Sequence, residues 1–143
     1  MRLWHKDLIK VLPRQQLLGQ WRELKLIAKD IREKGKTNHI LINKIMNFDL
    51  DHFCNYAMLI SNEMKQRNYK VNDNVASYID DVTQKHTVMF IDYIYPDWHN
   101  QEYLEICYFN LKEKYLCGGI TQIEWRNIVI EYNKEVYYGK NIK

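Results

Sequence analysis

Residues 13–35 read PRQQLLGQWRELKLIAKDIREKG, and their periodicity decides the fold. Leu17, Trp21, Leu24, Ala28 and Ile31 recur at steps of three and four. On a helix these positions form one narrow apolar stripe, which must face a core. Pro13 suits the first turn of such a helix and Gly35 suits its stop. Arg32 and Lys34 fall in the last turn, where basic side chains complement the helix dipole.

Working outward, the same pattern returns. A second helix is predicted at about 50–67, with Asp49 or Asp51 as cap and Phe53, Ala57, Ile60 and Met64 on one face. A short third helix is predicted at about 74–84. The run Val88, Met89, Phe90, Ile91 reads equally as a strand or a buried helix. A further helix is predicted from about 100 to 115, with Leu104, Cys107, Tyr108 and Leu111 inward, and Gly118 and Gly119 break it. Thr121 and Glu124 then form a capping-box pattern that opens a last helix carrying Trp125, Ile128 and Tyr132. The expected fold is all-α, a single compact multi-helix domain over residues 1–143, and that length fits one domain.

Composition excludes several classes. The chain is 46% hydrophobic and 13% aromatic, enough for a core, so disorder is excluded. No apolar run approaches the roughly 18–20 residues of a membrane span. Charge already enters the first seven residues, Met1 to Asp7, so no signal segment is expected there. Cys54, Cys107 and Cys117 form no CxxC pair and read as buried thiols of a reducing, cytoplasmic compartment. His5, His39, His52, His86 and His99 match no zinc spacing, so neither a metal nor another cofactor is expected. His99, just before a predicted helix, reads as a cap or packing residue.

Charge is distributed unevenly. The net value is +3, but residues 1–36 hold ten basic and four acidic side chains, a local +6 that leaves −3 on the rest. A basic segment of this kind is either a solvated helix face or a phosphate-binding surface. Within it, Glu23 lies about 120° from Leu17 on a helical wheel, on the shoulder of the apolar stripe beside Gln16 and Gln20. Gly19 sits one turn earlier, in a helix interior where glycine costs about 1 kcal/mol against alanine. It either clears space for a substrate beside Glu23 or marks close helix packing, with Glu23 paired to Arg22 or Lys25.

The chain start carries a second candidate group. An α-amine has a reference pKa of about 7.7–8.0, so it is the amine most readily uncharged and nucleophilic near neutral pH. Leu3, Trp4 and His5 are apolar and aromatic, which predicts a terminus tied down on the fold. Arg2 disfavours removal of the initiator methionine, so the amine is that of Met1, once deformylated. Simple packing of Leu3 and Trp4 is the alternative.

The segment Gln15, Gln16, Leu17, Leu18, Gly19, Gln20, Trp21, Arg22, Glu23, Leu24 resembles the first helix of the pyrimidine-dimer DNA glycosylases of the phage endonuclease V type. The distance from the chain start to Arg22–Glu23 is also similar. Met1, Arg2, Leu3, Trp4 resembles the start of bacterial relatives, and Tyr137, Tyr138, Gly139, Lys140 resembles the aromatic, basic C-terminus of the phage enzyme. The resemblance covers about residues 1–34 and 132–142; the middle is similar only in helical character.

The resemblance implies an all-helical glycosylase with abasic-site lyase activity on damaged double-stranded DNA. The matching nucleophile is the Met1 amine and the matching acid–base group is Glu23. Arg2, Arg22 and Gln15 match lesion-side contacts. Tyr137 and Tyr138 would stack near bases, with Lys140 on phosphate. In the family the base opposite the lesion is extruded from a kinked duplex. No metal, cofactor or membrane is implied, and a monomer is expected. Two departures stand out: the phage enzyme loses its initiator methionine, and Leu26 stands where a basic residue is expected. The competing readings are a non-catalytic helical nucleic-acid-binding module on the same scaffold, and an all-α interaction protein with a solvated basic helix.

Overall fold

A computed structural model describes residues 1–72, 77, 79 and 89–142, with only the helical backbone of 138–142. An extended start, residues 1–5, leads into a short 3-10 helix, Lys6–Val11. Helix α1 follows at Arg14–Lys34, then a second 3-10 helix at Ile42–Asn47 and helix α2 at Leu50–Gln66. Helices α3, Gln101–Leu116, and α4, Gln122–Ile142, complete the order. Among the described residues there is no strand, so the all-α expectation holds.

Local chemistry sets the boundaries. Gly35 ends α1 at φ 71° with its N–H on the Ile31 carbonyl, a left-handed stop that glycine adopts without strain. Asp49 caps α2 by accepting from Asp51 N, and Asn100 caps α3 by accepting from Tyr103 N. The predicted capping box opens α4: Thr121 N donates to Glu124 Oε1 at 3.1 Å and Glu124 N to Thr121 Oγ1 at 3.2 Å. Glu124 Oε2 also accepts from Arg14 N at 3.1 Å, which gives α1 the cap that Pro13 lacks.

The stripe on α1 is buried as its spacing requires: Leu17, Trp21, Leu24, Ala28 and Ile31 join the core. Phe53, Ala57, Ile60 and Met64 meet them from α2. The α4 helix packs against α3 and the first 3-10 helix. Tyr108 stacks on Tyr132 at 3.8 Å and Tyr115 on Trp125 at 5.1 Å, so α3 and α4 run antiparallel. The Arg67 guanidinium closes the far end of the first 3-10 helix, donating to the carbonyls of Leu12, Ile9 and Lys10.

Two expectations change. Met89, Phe90 and Ile91 form neither strand nor helix: Asn55 holds the Met89 carbonyl at 2.8 Å and the Ile91 N–H at 3.1 Å, and Phe90 is 78% exposed between them. One asparagine side chain thus supplies the backbone bonds that a strand or helix would supply. Cys54 and Cys107 are buried, but Cys117 is exposed because it caps the end of α3. The helix predicted at about 74–84 and Val88 lie outside the described residues, except that Ser77 and Ile79 are helical. No helix among the described residues is long and apolar enough to cross a membrane.

Candidate active site

Residues 2–7 are fixed by partners from several elements. Trp4 N donates to Gln20 Oε1 at 2.8 Å, and Gln20 Nε2 donates to the Arg2 carbonyl at 3.0 Å. Tyr103 of α3 donates its hydroxyl to the Leu3 carbonyl, and Tyr56 of α2 to that of Trp4 at 2.6 Å. Lys6 N donates to His99 Nδ1 at 3.0 Å and Asp7 N to His5 Nδ1 at 3.1 Å. The His5 acceptor role leaves Nε2 with the proton, which it donates to the Asn100 carbonyl at 3.1 Å. Leu3, Trp4 and His5 are all buried. The terminus is tied down as expected, by partners up to 100 residues away in sequence.

The Met1 amine at the head of this segment acts electrostatically on the Glu23 carboxyl. The Glu23 carboxyl is half-buried, and burial raises it above the ordinary carboxylate range. Four basic groups pull against that rise: the Met1 amine first, then His39, Arg22 and Lys114. Gln20, one helical turn before, donates to Glu23 Oε2 at 3.4 Å. A methyl placed on Gly19 meets only the Arg22 guanidinium, at 3.9 Å. Close helix packing at Gly19 therefore fails, and the space over it is open except for Arg22.

The other proposed residues divide. The Arg2 guanidinium lies 5.4 Å from the Trp4 ring centre and acts electrostatically on Tyr103 and Cys107 of α3. Arg22 is exposed at the rim beside Glu23. Gln15 lies eight residues before Glu23, roughly 12 Å along α1, and lines a separate cleft of about 450 Å³ with Arg14, Gly119 and Thr121. Tyr137 is 65% exposed on α4. Tyr132 pairs with Tyr108 on the antiparallel α3, so Tyr137 and Lys114 diverge from that pair by roughly 16 Å along the helix axes. Tyr137 therefore lies toward the opposite end of the α3–α4 pair from Lys114, and the Tyr138 and Lys140 side chains lie outside the described residues.

Sequence reasoning missed four contributors. Gln20 was legible only as a polar residue on the shoulder of α1. Tyr56, Tyr103 and Lys114 reach the site from α2 and α3, and nothing in their local sequence marks them. Among the described residues no cluster of His, Cys, Asp and Glu could hold a metal. An uncharged amine beside a carboxylate can attack an electrophilic carbon and manage the proton between them.

A family model described as pyrimidine dimer DNA glycosylase matches residues 1–77. No curated protein and no solved structure matches the chain.

Proposed function

The chain belongs to the pyrimidine dimer DNA glycosylase family, whose model spans more than half of it, and on that premise we propose that it excises UV-type pyrimidine dimers and cleaves the abasic strand through the Met1 amine. The uncharged amine attacks C1′ of the damaged nucleotide. The glycosidic bond breaks and its electron pair leaves with the base. The nitrogen lone pair then displaces O4′ from C1′, the freed oxygen takes up a proton by way of Glu23, and the result is a protonated imine between Met1 and the opened sugar. Removal of a C2′ proton then expels the 3′ phosphate by β-elimination. Glu23 stabilises the cationic sugar and moves the protons. Arg2, Gln15 and Arg22 contact the lesion strand in this reading, and Tyr137, Tyr138 and Lys140 contact the flanking duplex.

One observation carries the proposal: hydrogen bonds from three helices and the loop before α3 fix residues 2–7, and the amine at their head acts electrostatically on the Glu23 carboxylate. A binding module has no need of a terminus held in this way. Borohydride treatment of the protein with abasic or dimer-containing duplex is expected to give a covalent adduct on the N-terminal peptide. Intact mass establishes in the same sample that the Met1 amine is free. A free amine with tight binding and no adduct would leave the non-catalytic DNA-binding module as the reading.

A further inference from the structure

Gln20 is 1% exposed, and its amide is engaged on both sides. Oε1 accepts from Trp4 N–H at 2.8 Å and shares the Tyr56 hydroxyl proton, at 3.0 Å, with the Trp4 carbonyl. Nε2 donates to the Arg2 carbonyl at 3.0 Å and to Glu23 Oε2 at 3.4 Å. The orientation of the amide is fixed. Reversed, it would set N–H groups against the Trp4 N–H and an oxygen against two acceptors. One buried side chain thus holds the backbone on both sides of Leu3 and the carboxylate that the amine faces.

We propose that Gln20 is a positioning residue of this site, setting the Met1 amine and the Glu23 carboxylate relative to each other. It rests on the amine–carboxylate reading above. A 1 Å displacement of either group would lose the near-attack geometry. The titratable groups that act on Glu23 are all bases: the amine from the extended start, His39 from the loop after α1, Arg22 from α1 and Lys114 from α3. Gln20 supplies a neutral donor beside them. A negative charge in place of its nitrogen would meet Glu23 directly.

The test is the single-turnover rate of strand cleavage on an abasic duplex between about pH 5 and 9. Gln20→Glu keeps the acceptor side but presents a second carboxylate oxygen to Glu23 and the Arg2 carbonyl. Its acid limb is expected to move up by about one pH unit, a shift typical of paired carboxylates, with duplex affinity within about threefold of wild type. Gln20→Met removes the amide at similar size. It is expected to lose about tenfold in rate and to move the limb in the same direction, because the donor to the ionised carboxylate is gone. Arg67→Met weakens the cap on the first 3-10 helix and serves as the destabilised control, with its limb unmoved. A limb that stays in place in both Gln20 variants would overturn the proposal. If Gln20→Glu fails to fold, Gln20→Met decides alone by the same criterion. Absence of wild-type adduct counts against the amine reading and takes this role with it; a wild type that traps DNA while both limbs stay put counts against Gln20 alone.

Discussion

Glu23 is held in a condition that a structural carboxylate would not keep. Burial raises it above the ordinary carboxylate range, and four nearby basic groups only partly offset the rise. The sign of the stability effect follows. A carboxyl with a raised folded-state pKa favours folding below its unfolded value, and that contribution is lost as pH rises through the folded value. At neutral pH the ionised Glu23 therefore weakens the fold slightly. Glu23→Gln is expected to raise the melting temperature at pH 7.5 and to leave it unchanged near pH 4. The same substitution is expected to lower strand cleavage by at least about a hundredfold while duplex affinity changes less than about threefold. Thermal melting at the two pH values and a gel nicking assay read both effects. Unchanged cleavage would remove Glu23 from the chemistry.

At the scale of elements, the extended start depends on two neutral imidazoles. His5 and His99 stack at 5.1 Å, and each accepts a backbone N–H through Nδ1. Burial lowers His5 to about 4 and His99 to about 2, with Lys6 adding to both. A histidine held below its unfolded value of 6.5 costs the fold stability as pH falls from 6.5 toward 4, because the unfolded chain takes up the proton first. Each of the two is therefore expected to cost on the order of 3 kcal/mol across that window. A His5→Gln variant should flatten the pH dependence by part of that amount. Chemical denaturation at pH 7 and pH 4.5 measures it, and parallel curves for variant and wild type would exclude the effect. This anchoring also marks the limit of what the sequence discloses. Ends of α1, α2 and α4 were legible because Gly35, Asp49 and the Thr121–Glu124 box act on their own neighbours, whereas the cap role considered for His99 falls to Asn100. So was the core stripe, since spacing alone sets which face is buried. Glu23 and the fixed terminus were legible for the same local reason. The bonds that bring them together were not: Tyr103 meets Leu3, and Tyr56 meets Gln20, only after the chain has folded. The Met89–Ile91 segment misled because its hydrophobicity indicates burial, whereas Asn55 holds its backbone at the surface.

For the whole molecule, the modest net charge of +3 conceals a polarity that folding sharpens. The +6 of residues 1–36 already includes Arg2 and Arg22, and the fold adds Lys114 from the −3 portion to the same locality as Glu23. Lys134 stands on α4, whose antiparallel course carries it away from that end of α3. If the face around Glu23 receives the duplex, each lysine or arginine that neutralises a phosphate releases counterions, and the logarithm of affinity falls with the logarithm of salt by about 0.9 per contact. Lys114→Ala is then expected to weaken binding to undamaged and abasic duplex alike and to reduce the slope by about one. Lys134→Ala should leave the slope unchanged. Fluorescence anisotropy from about 50 to 200 mM salt reads both. Equal slopes for Lys114→Ala and wild type would place the backbone-binding surface elsewhere. A flat wild-type response would mean that the basic first quarter is a solvated helix face, because a duplex held by phosphate contacts cannot escape the cost of counterion competition.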